Sequence, residues 1–186
     1  MEQQARALTG FTLLELLAAL GVLATCCALA IPAYGWARGA GVAADVETAL
    51  VSAVSDATRQ AIVGGRQVVM CPSRDGARCD GATDWSAGWI VFTDTDRNRD
   101  RAGNEPLHRR QVAIADDVAL VSTTGRRLVR FQPSGTVEGT NVTFTLCDGR
   151  GRKRAVSWIM ANSGRFRRGK AAADAAHRCM AARVQA

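Results

Sequence analysis

Residues 10–31 read GFTLLELLAALGVLATCCALAI, and Glu15 is the only charged residue among them. As an α-helix, the twenty residues from Phe11 to Ala30 would span about 30 Å, the thickness of the hydrocarbon core of a bilayer. A carboxylate inside such a helix is costly unless it has a partner, so Glu15 marks a functional position. The stretch therefore predicts that the fold begins with one membrane-spanning helix.

A partner for Glu15 would arise if the chain were cut between Gly10 and Phe11. The new α-ammonium group of Phe11 would then pair with Glu15 of an identical neighbour in a stack of helices. The stretch resembles the prepilin signature of type IV pilins at Arg6, Gly10, Phe11, Thr12, Leu13 and Glu15. The resemblance implies cleavage after Gly10 by a prepilin peptidase, methylation of Phe11, and assembly into a pilus or pilus-like filament.

Three other interpretations of this stretch are open. Ala28-Leu29-Ala30 fits the cleavage site of a secretory signal peptide, although Glu15 is a poor occupant of its apolar core. Residues 23–26 resemble a lipoprotein signal, although threonine is unusual before the cysteine. An ordinary membrane anchor explains the length of the stretch but not its Gly10-Phe11 step. We predict the prepilin interpretation because it accounts for these positions together.

The rest of the composition fits one domain after the anchor. The chain has 186 residues and a formal net charge of +7. We predict a leader at 1–10, a membrane helix at 11–31, an amphipathic helix at 32–65 and a head at 66–186. Roughly 150 residues after the anchor suffice for a single hydrophobic core. The positive charge suits anionic partners such as nucleic acid or a membrane surface, without setting specificity.

The six cysteines form two groups. Cys26 and Cys27 lie in the apolar stretch, where cysteine acts as a small hydrophobic residue. The other four are Cys71, Cys79, Cys147 and Cys179. If the anchor enters the membrane as a pilin does, these four face an oxidising compartment, where disulfides persist. Four cysteines allow three pairings, of which we favour the first with the second and the third with the fourth. A zinc site is the alternative, but it lacks the paired C-x-x-C spacing of zinc modules.

An apolar stripe after Pro32 predicts an amphipathic helix that packs on a core. The stripe consists of Val42, Val46, Leu50 and Val54, widened by Ala49, Ala53, Ala57 and Ala61. We expect the helix to bend at Pro32 and to end at Gly64-Gly65.

From Arg66 onward the pattern changes to short strands bounded by turn residues, which predicts an antiparallel sheet covering the stripe. The predicted strands are Gln67–Cys71, Gly88–Thr93, Leu107–Ala113, Ala119–Ser122, Leu128–Gln132, Asn141–Leu146 and Ala155–Ala161. The tail after Lys170 is predicted as a short helix or a loose end held by Cys179. The fold class is therefore α+β: one long N-terminal helix on a β-rich head.

The head resembles the FimT/GspH branch of the pseudopilins. The resemblance rests on a series of short motifs in order. They are Met70-Cys71-Pro72-Ser73, Asp75-Gly76, Cys79, Trp85, Gly88-Trp89-Ile90-Val91-Phe92-Thr93-Asp94, Glu105-Pro106-Leu107, Arg130-Phe131-Gln132-Pro133-Ser134-Gly135, Thr145-Leu146-Cys147-Asp148 and Asn162-Ser163-Gly164-Arg165. It runs from Gly10 to about Arg168 and implies the same fold, a long helix with a β-rich head.

Basic residues concentrate between residues 150 and 170, and this basic segment contains no acidic residue. Gly164-Arg165-Phe166-Arg167 fits the Gly-Arg-x-Arg pattern associated with DNA binding in FimT-type minor pilins. The predicted DNA-binding set is Gly164, Arg165 and Arg167 from this pattern, with Arg168, Lys170, Arg152, Lys153 and Arg154 added by proximity. A hairpin-like return around Ala155–Ala161 would bring the basic groups together, and arginine matches phosphate oxygens well.

A solvated strand edge is the alternative interpretation of the basic segment, because charges on an edge discourage aggregation. Phe166 alternates with the arginines along a strand, so we expect it to face the core rather than a nucleic-acid base. If DNA binds here, contacts to phosphates make the binding independent of sequence and steeply dependent on salt.

Residues 94–100 read DTDRNRD and place oxygen-bearing side chains at alternate positions, as at the start of a calcium loop. These side chains are Asp94, Asp96, Asn98 and Asp100. Arg99 stands where such loops carry glycine, and the interleaved arginines would neutralise the loop. Glu105-Pro106 is taken to lie one position away from the twelfth place, where such loops carry an acidic ligand. We therefore predict a turn between strands and no metal site, with calcium as the alternative.

No catalytic constellation emerges, because neither His108 nor His177 has an obvious nucleophile partner. We predict a protein that is not an enzyme and uses no cofactor. The leading function is that of a minor pilin of a type IV pilus, in the bacterial inner membrane with its head in the periplasm. Its expected partners are other pilins, the prepilin peptidase, the membrane and double-stranded DNA. The alternative is the equivalent pseudopilin of a type II secretion filament.

Overall fold

The N-terminal helix, α1, runs from Leu13 to Gly64 and contains 52 residues. The computed structural model describes residues 12–114, 117–139 and 141–185. The chain divides into two compact units, which meet between Arg38 and Gly39. The helix is continuous past residue 32, as predicted, and ends before Gly65, whose φ of 61° is typical of a helix C-terminus. The bend at residue 32 and the division into four functional segments stay predictions.

The first unit contains an apolar helical segment long enough to cross a membrane. Leu13–Ile31 comprises 19 residues with a mean hydropathy of 2.3, and none of them is buried within the structure. Its leucines are exposed, as are the thiols of Cys26 and Cys27. The prediction of a membrane-length helix is therefore met by the length and composition of this segment.

In the second unit, one face of α1 is the centre of the main hydrophobic core. Ala53, Ala57 and Ala61 have no exposed surface, and Leu50 has almost none. Val42 and Ala49 are partly buried against the same core. The apolar stripe predicted from the four-residue spacing is confirmed.

The strands of the head form two antiparallel sheets. Their ranges are β1 Val68–Pro72, β2 Trp89–Thr93, β3 Leu107–Gln111, β4 Val118–Ser122, β5 Val129–Phe131, β6 Val137–Glu138, β7 Val142–Asp148, β8 Val156–Met160 and β9 Phe166–Lys170. One sheet has the order β3-β2-β1-β5-β6, and the other has the order β4-β7-β8-β9. Residues from both sheets pack on the stripe of α1. The α+β fold class is confirmed.

Each of the seven predicted strands overlaps an observed one, with ends that differ by a few residues. The predicted strands omit β6 and β9. β6 has only two residues, and β9 is mostly basic, so neither carries the apolar alternation that identifies a strand in sequence. The hairpin-like return expected after β8 is confirmed as the pairing of β8 with β9.

The tail forms a helix, α2, from Ala173 to Gln185. It packs on β4 and β7 through a small core of its own, which includes Ala119 and Ala176. Disulfides join Cys147 to Cys179 and Cys71 to Cys79. The favoured pairing is thus confirmed, and the zinc alternative is wrong for these four residues because their sulfur atoms are bonded to one another.

Gly164 lies in the turn between β8 and β9, where a side chain has no room. Its φ is 82°, and its N–H donates to the carbonyl oxygen of Ala161 at 3.0 Å. A Cβ atom at this position would lie 2.3 Å from the carbonyl oxygen of Gly135. The glycine of the predicted Gly-Arg-x-Arg pattern therefore has a structural reason that is independent of any ligand.

We expect Gly164→Ala to lower the free energy of unfolding by about 2–4 kcal/mol, because it adds left-handed strain and a clash with backbone. The matched control is Gly81→Ala, since Gly81 has a φ of 66° and no atom within 4 Å of its added Cβ. The control should lose only about 1–2 kcal/mol from strain. Urea denaturation followed by tryptophan fluorescence measures both, and equal losses would show that the approach to Gly135 is unimportant.

Candidate functional site

The start of α1 is capped by the residues that the prepilin resemblance singled out. The Oγ1 atom of Thr12 accepts a hydrogen bond from the backbone N–H of Glu15 at 3.2 Å. Thr12 and Glu15 thus occupy the first and last places of a Thr-x-x-Glu capping sequence. The sequence analysis included Thr12 in the prepilin signature but did not predict that it caps the helix, although the Thr-x-x-Glu pattern indicates it.

Glu15 itself is exposed and has no ion pair among the residues that the structure describes. An acidic side chain in the first helical turn is favourable next to the helix dipole, so its position has a local benefit as well as the predicted one. Gly10 and Phe11, the predicted cleavage and methylation positions, lie outside the described residues.

The basic segment folds around the β8–β9 hairpin, with β9 at the edge of its sheet. Along β9 the side chains alternate between two faces. Phe166 faces the core, where its ring stacks on that of Trp158 with centroids 5.0 Å apart. The expectation that Phe166 packs in the core rather than against a base is met by this contact.

Arg168 shares the face of Phe166 and binds α1. Its Nε atom lies 2.7 Å from Oε2 of Glu47, and its Nη2 atom lies 3.2 Å from Oε1. The same carboxylate accepts a hydrogen bond from Nε1 of Trp158 at 3.1 Å. The hydrogen bond to Glu47 raises the pKa of Arg168 above its ordinary value. Arg168 therefore ties the edge strand to α1, a structural role that its grouping with the other arginines did not predict.

Arg165 and Arg167 point elsewhere. Arg167 lies opposite Ile159 in the register and alternates with Phe166 and Arg168, so it faces away from α1. Arg165 lies directly before β9, and both arginines are exposed. Neither makes an ion pair in the part of the chain that the structure describes. These two guanidinium groups are available to an external anion.

The second basic group lies at the other end of the hairpin. Arg152–Arg154 form a short 3₁₀ helix that precedes β8, whose first residue, Val156, pairs with Lys170. Five residues of extended chain separate Lys170 from Arg165, which is about 16 Å. The hairpin therefore brings Lys170 near Arg152–Arg154, as the sequence analysis expected. It leaves Arg165 apart from them, because Arg165 lies at the other end of β9.

We expect Glu47→Ala to lower the free energy of unfolding by about 1–2 kcal/mol, because it removes the partner of both Arg168 and Trp158 at a partly exposed site. The matched comparison is Arg167→Ala, which removes an exposed arginine one residue from Arg168 and should change the stability by less than about 0.5 kcal/mol. Chemical denaturation at neutral pH measures both. Similar losses for the two substitutions would contradict the difference in role.

The segment predicted as a turn, residues 94–100, lies between β2 and β3, as expected. The structure adds Glu105, which the sequence analysis did not include among the ligands. One carboxylate oxygen from each of Asp94, Asp96 and Glu105 lies within 4.8 Å of the others. Glu105 is the twelfth residue counted from Asp94, so the sequence contained this signal.

Two solved structures of other proteins are similar to this chain. The crystal structure of the type IV minor pilin FimU from Pseudomonas aeruginosa matches with a TM-score of 0.53 at 14% identity, covering 74% of this chain and 90% of FimU. The minor pseudopilin EpsH of the Vibrio cholerae type 2 secretion system matches with a TM-score of 0.48 at 13% identity, covering 69% of this chain and 96% of EpsH. At such identity the likeness to FimU is one of fold. A comparison with curated protein sequences finds no match.

A family model described as type II transport protein GspH matches residues 48–164, which is more than half of the 186 residues. The matched region includes α1 from residue 48 and both sheets up to the turn before β9. The chain therefore belongs to the GspH family of type II transport proteins.

Proposed function

We propose that this protein is a minor pilin that is cut between Gly10 and Phe11 and assembled into a filament with other pilins. The observation that carries the proposal is the helical segment Leu13–Ile31, in which no residue is buried. An apolar surface of this size needs lipid or neighbouring helices to cover it. In the proposal, the inner membrane covers it before assembly and identical or related helices cover it afterwards.

Glu15 is the residue that orders the assembly. Inside a filament of packed apolar helices, its carboxylate would be costly without a cation. The α-ammonium group that cleavage creates on Phe11 supplies this cation from the neighbouring subunit. The same prepilin peptidase that removes residues 1–10 therefore creates the partner of Glu15, which couples processing to assembly.

We expect Glu15→Ala to leave the head folded but to reduce incorporation into filaments at least about tenfold, because a buried ion pair loses one partner. The Thr12 cap is kept, since it uses the backbone N–H of residue 15. Leu14→Ala is the control, because Leu14 is also exposed and is uncharged. Immunoblots of sheared filaments and of membranes measure the ratio of filament-bound to membrane-bound protein. Normal incorporation of the Glu15 variant would rule out the pairing with Phe11.

We further propose that the outer face of the β8–β9 hairpin binds double-stranded DNA through phosphates. Arg165 and Arg167 support this, because both are exposed and neither is in an ion pair in the described chain. The basic segment carries no acidic residue to repel a phosphate. Lys170, about 16 Å from Arg165 at the other end of β9, shares the face of Phe166 and Arg168 and so lies outside the proposed surface. The proposal therefore rests on Arg165 and Arg167.

Arg165→Ala combined with Arg167→Ala should weaken DNA binding and lower the salt slope by about one unit for each phosphate that the variant no longer binds. The matched control is Arg109→Ala combined with Arg168→Ala. It removes the same charge from two arginines that are bound to Asp56 and Glu47. Mobility shifts of the full-length protein in uncharged detergent across a salt series compare the pairs. Equal effects of the two pairs would mean that net charge, and not this face, binds DNA.

The filament is proposed to be a type IV pilus, with a type II secretion filament as the alternative. The basic hairpin supports the pilus, since capture of DNA is useful at a pilus and serves no role in protein export. The description of the matching family supports the secretion filament. Filaments sheared from cells are tested for the protein. Its presence in type IV pili supports the pilus, and its presence in secretion filaments supports the alternative.

A further inference from the structure

The connection between β2 and β3 has the length and the residue pattern of a calcium-binding loop. The twelve residues from Asp94 to Glu105 carry oxygen-bearing side chains at the first, third, fifth, seventh and twelfth positions. This is the arrangement of ligand positions in helix–loop–helix calcium sites, here placed between two strands. We refer to residues 94–105 as the 94–105 loop.

The carboxylates are close enough to share one ion. The candidate oxygen atoms of Asp94, Asp96 and Glu105 all lie within 4.8 Å of one another. Calcium binds oxygen at 2.3–2.6 Å, so two ligands on opposite sides of it are about 5 Å apart. The candidate oxygen atoms therefore lie close enough together to be bound by one calcium ion.

An independent observation at Asp94 indicates a missing partner. Asp94 is 2% exposed, and its Oδ1 atom is buried with no hydrogen-bond partner in the described chain. Its other oxygen, Oδ2, accepts a hydrogen bond from the N–H of Arg99 at 3.2 Å. A buried carboxylate oxygen without a donor is costly, and a bound cation would satisfy it.

The other two carboxylates keep lone pairs for an ion. Glu105 accepts two hydrogen bonds from Thr95 at Oε1 and one from the N–H of Ala102 at Oε2. Asp96 accepts one bond at each oxygen, both from Asn98. Each carboxylate oxygen has two lone-pair sites, so Asp96 and the Oε2 atom of Glu105 each retain acceptor capacity.

The arginines of the loop do not neutralise these acids, contrary to the sequence-based argument against calcium. Among the described residues, no ion pair involves Asp94, Asp96 or Glu105. The guanidinium group of Arg101 instead donates to the carbonyl oxygens of Ala77 and Glu105. Within the described residues, the three carboxylates therefore form a cluster with no ion-paired arginine.

The backbone already has a left-handed residue at the sixth position, where such a loop requires one. Arg97 and Arg99, at the fourth and sixth positions, have φ of 61° and 70°. The sixth position is ordinarily glycine, because only glycine adopts this conformation without strain. Arginine there adds both strain and a positive charge, so the affinity should be near that of extracellular calcium modules, on the order of 10⁻⁴–10⁻³ M.

We propose that the 94–105 loop binds one Ca²⁺ through the carboxylates of Asp94, Asp96 and Glu105, and that the ion fastens the β2–β3 hairpin of the head. The inference goes beyond the proposed filament and DNA-binding functions and does not depend on either. Asn98 and the backbone carbonyl of Asp100 stand at the positions that complete the ligand set in such loops.

The test uses the full-length chain in uncharged detergent, freed of metal with a chelator. Calorimetric titration with CaCl₂ should show one site, and MgCl₂ should bind at least about tenfold more weakly. Calcium at ten times its dissociation constant should raise the unfolding temperature by about 4 °C. Asp96→Asn, at an exposed position, and Glu105→Gln should each weaken calcium binding at least about tenfold.

Two further variants distinguish a metal site from a loop that is stabilised only by its internal hydrogen bonds. Arg99→Gly should tighten calcium binding by about fivefold, because it removes a positive charge and left-handed strain next to the ion. Asp100→Asn is the charge-matched control, since the seventh position binds through its backbone carbonyl, and it should change affinity less than about threefold. The proposal is overturned if calcium at about 10 mM gives neither heat nor a thermal shift in the wild-type chain. Equal stabilisation by magnesium, or equal weakening by Asp100→Asn and Asp96→Asn, would also overturn it.

Discussion

The packing of both sheets on buried alanines of α1 is the interaction on which the fold of the head depends. Ala53, Ala57 and Ala61 have no exposed surface, and residues of both sheets pack around them. Small side chains let sheet residues approach the helix closely, and the large side chains come from the strands and their connections instead. Trp85 and Phe144, for example, meet edge to face with centroids 5.0 Å apart. A larger residue in the stripe would force two sheets to move rather than one.

Each sheet has a second face that the helix cannot cover, and each of these faces is closed near a disulfide. On this face of β1 and β2 lies a small core that contains Val69 and Phe92. The Cys71–Cys79 bond ties the chain after β1 to this core. Behind β4 and β7, α2 is held by the Cys147–Cys179 bond. Their sequence separations of 8 and 32 residues correspond to about 2.5 and about 3.7 kcal/mol of chain entropy in the usual loop model. The covalent links therefore stabilise the parts of the head that have the least apolar area.

The sequence predicts those features whose signal is local. The stripe of α1, the apolar strands and the glycine end of the helix each follow from residues close together in the chain. The omitted strand β9 and the separate role of Arg168 depend on register, which decides that Arg168 meets Glu47, 121 residues away. Glu105 was overlooked for a different reason. Glu105 is the twelfth residue from Asp94, but the sequence analysis placed it one position off. The interleaved arginines also suggested neutralisation, and only the structure shows that no described arginine forms an ion pair with these acids.

Pairing, rather than charge itself, distinguishes the structural from the available groups on this head. The chain has 24 basic and 17 acidic residues, so an acid in the head has many possible partners. Asp56, Glu47 and Asp148 each find an arginine, and these pairs join elements or brace turns. The chain is rich in arginine, yet Asp94, Asp96 and Glu105 lie close together with no ion-paired arginine in the described chain. The folded head therefore holds these three carboxylates together against their mutual repulsion. The 94–105 loop accepts that cost in its folded form, and a divalent cation is the partner that would remove it.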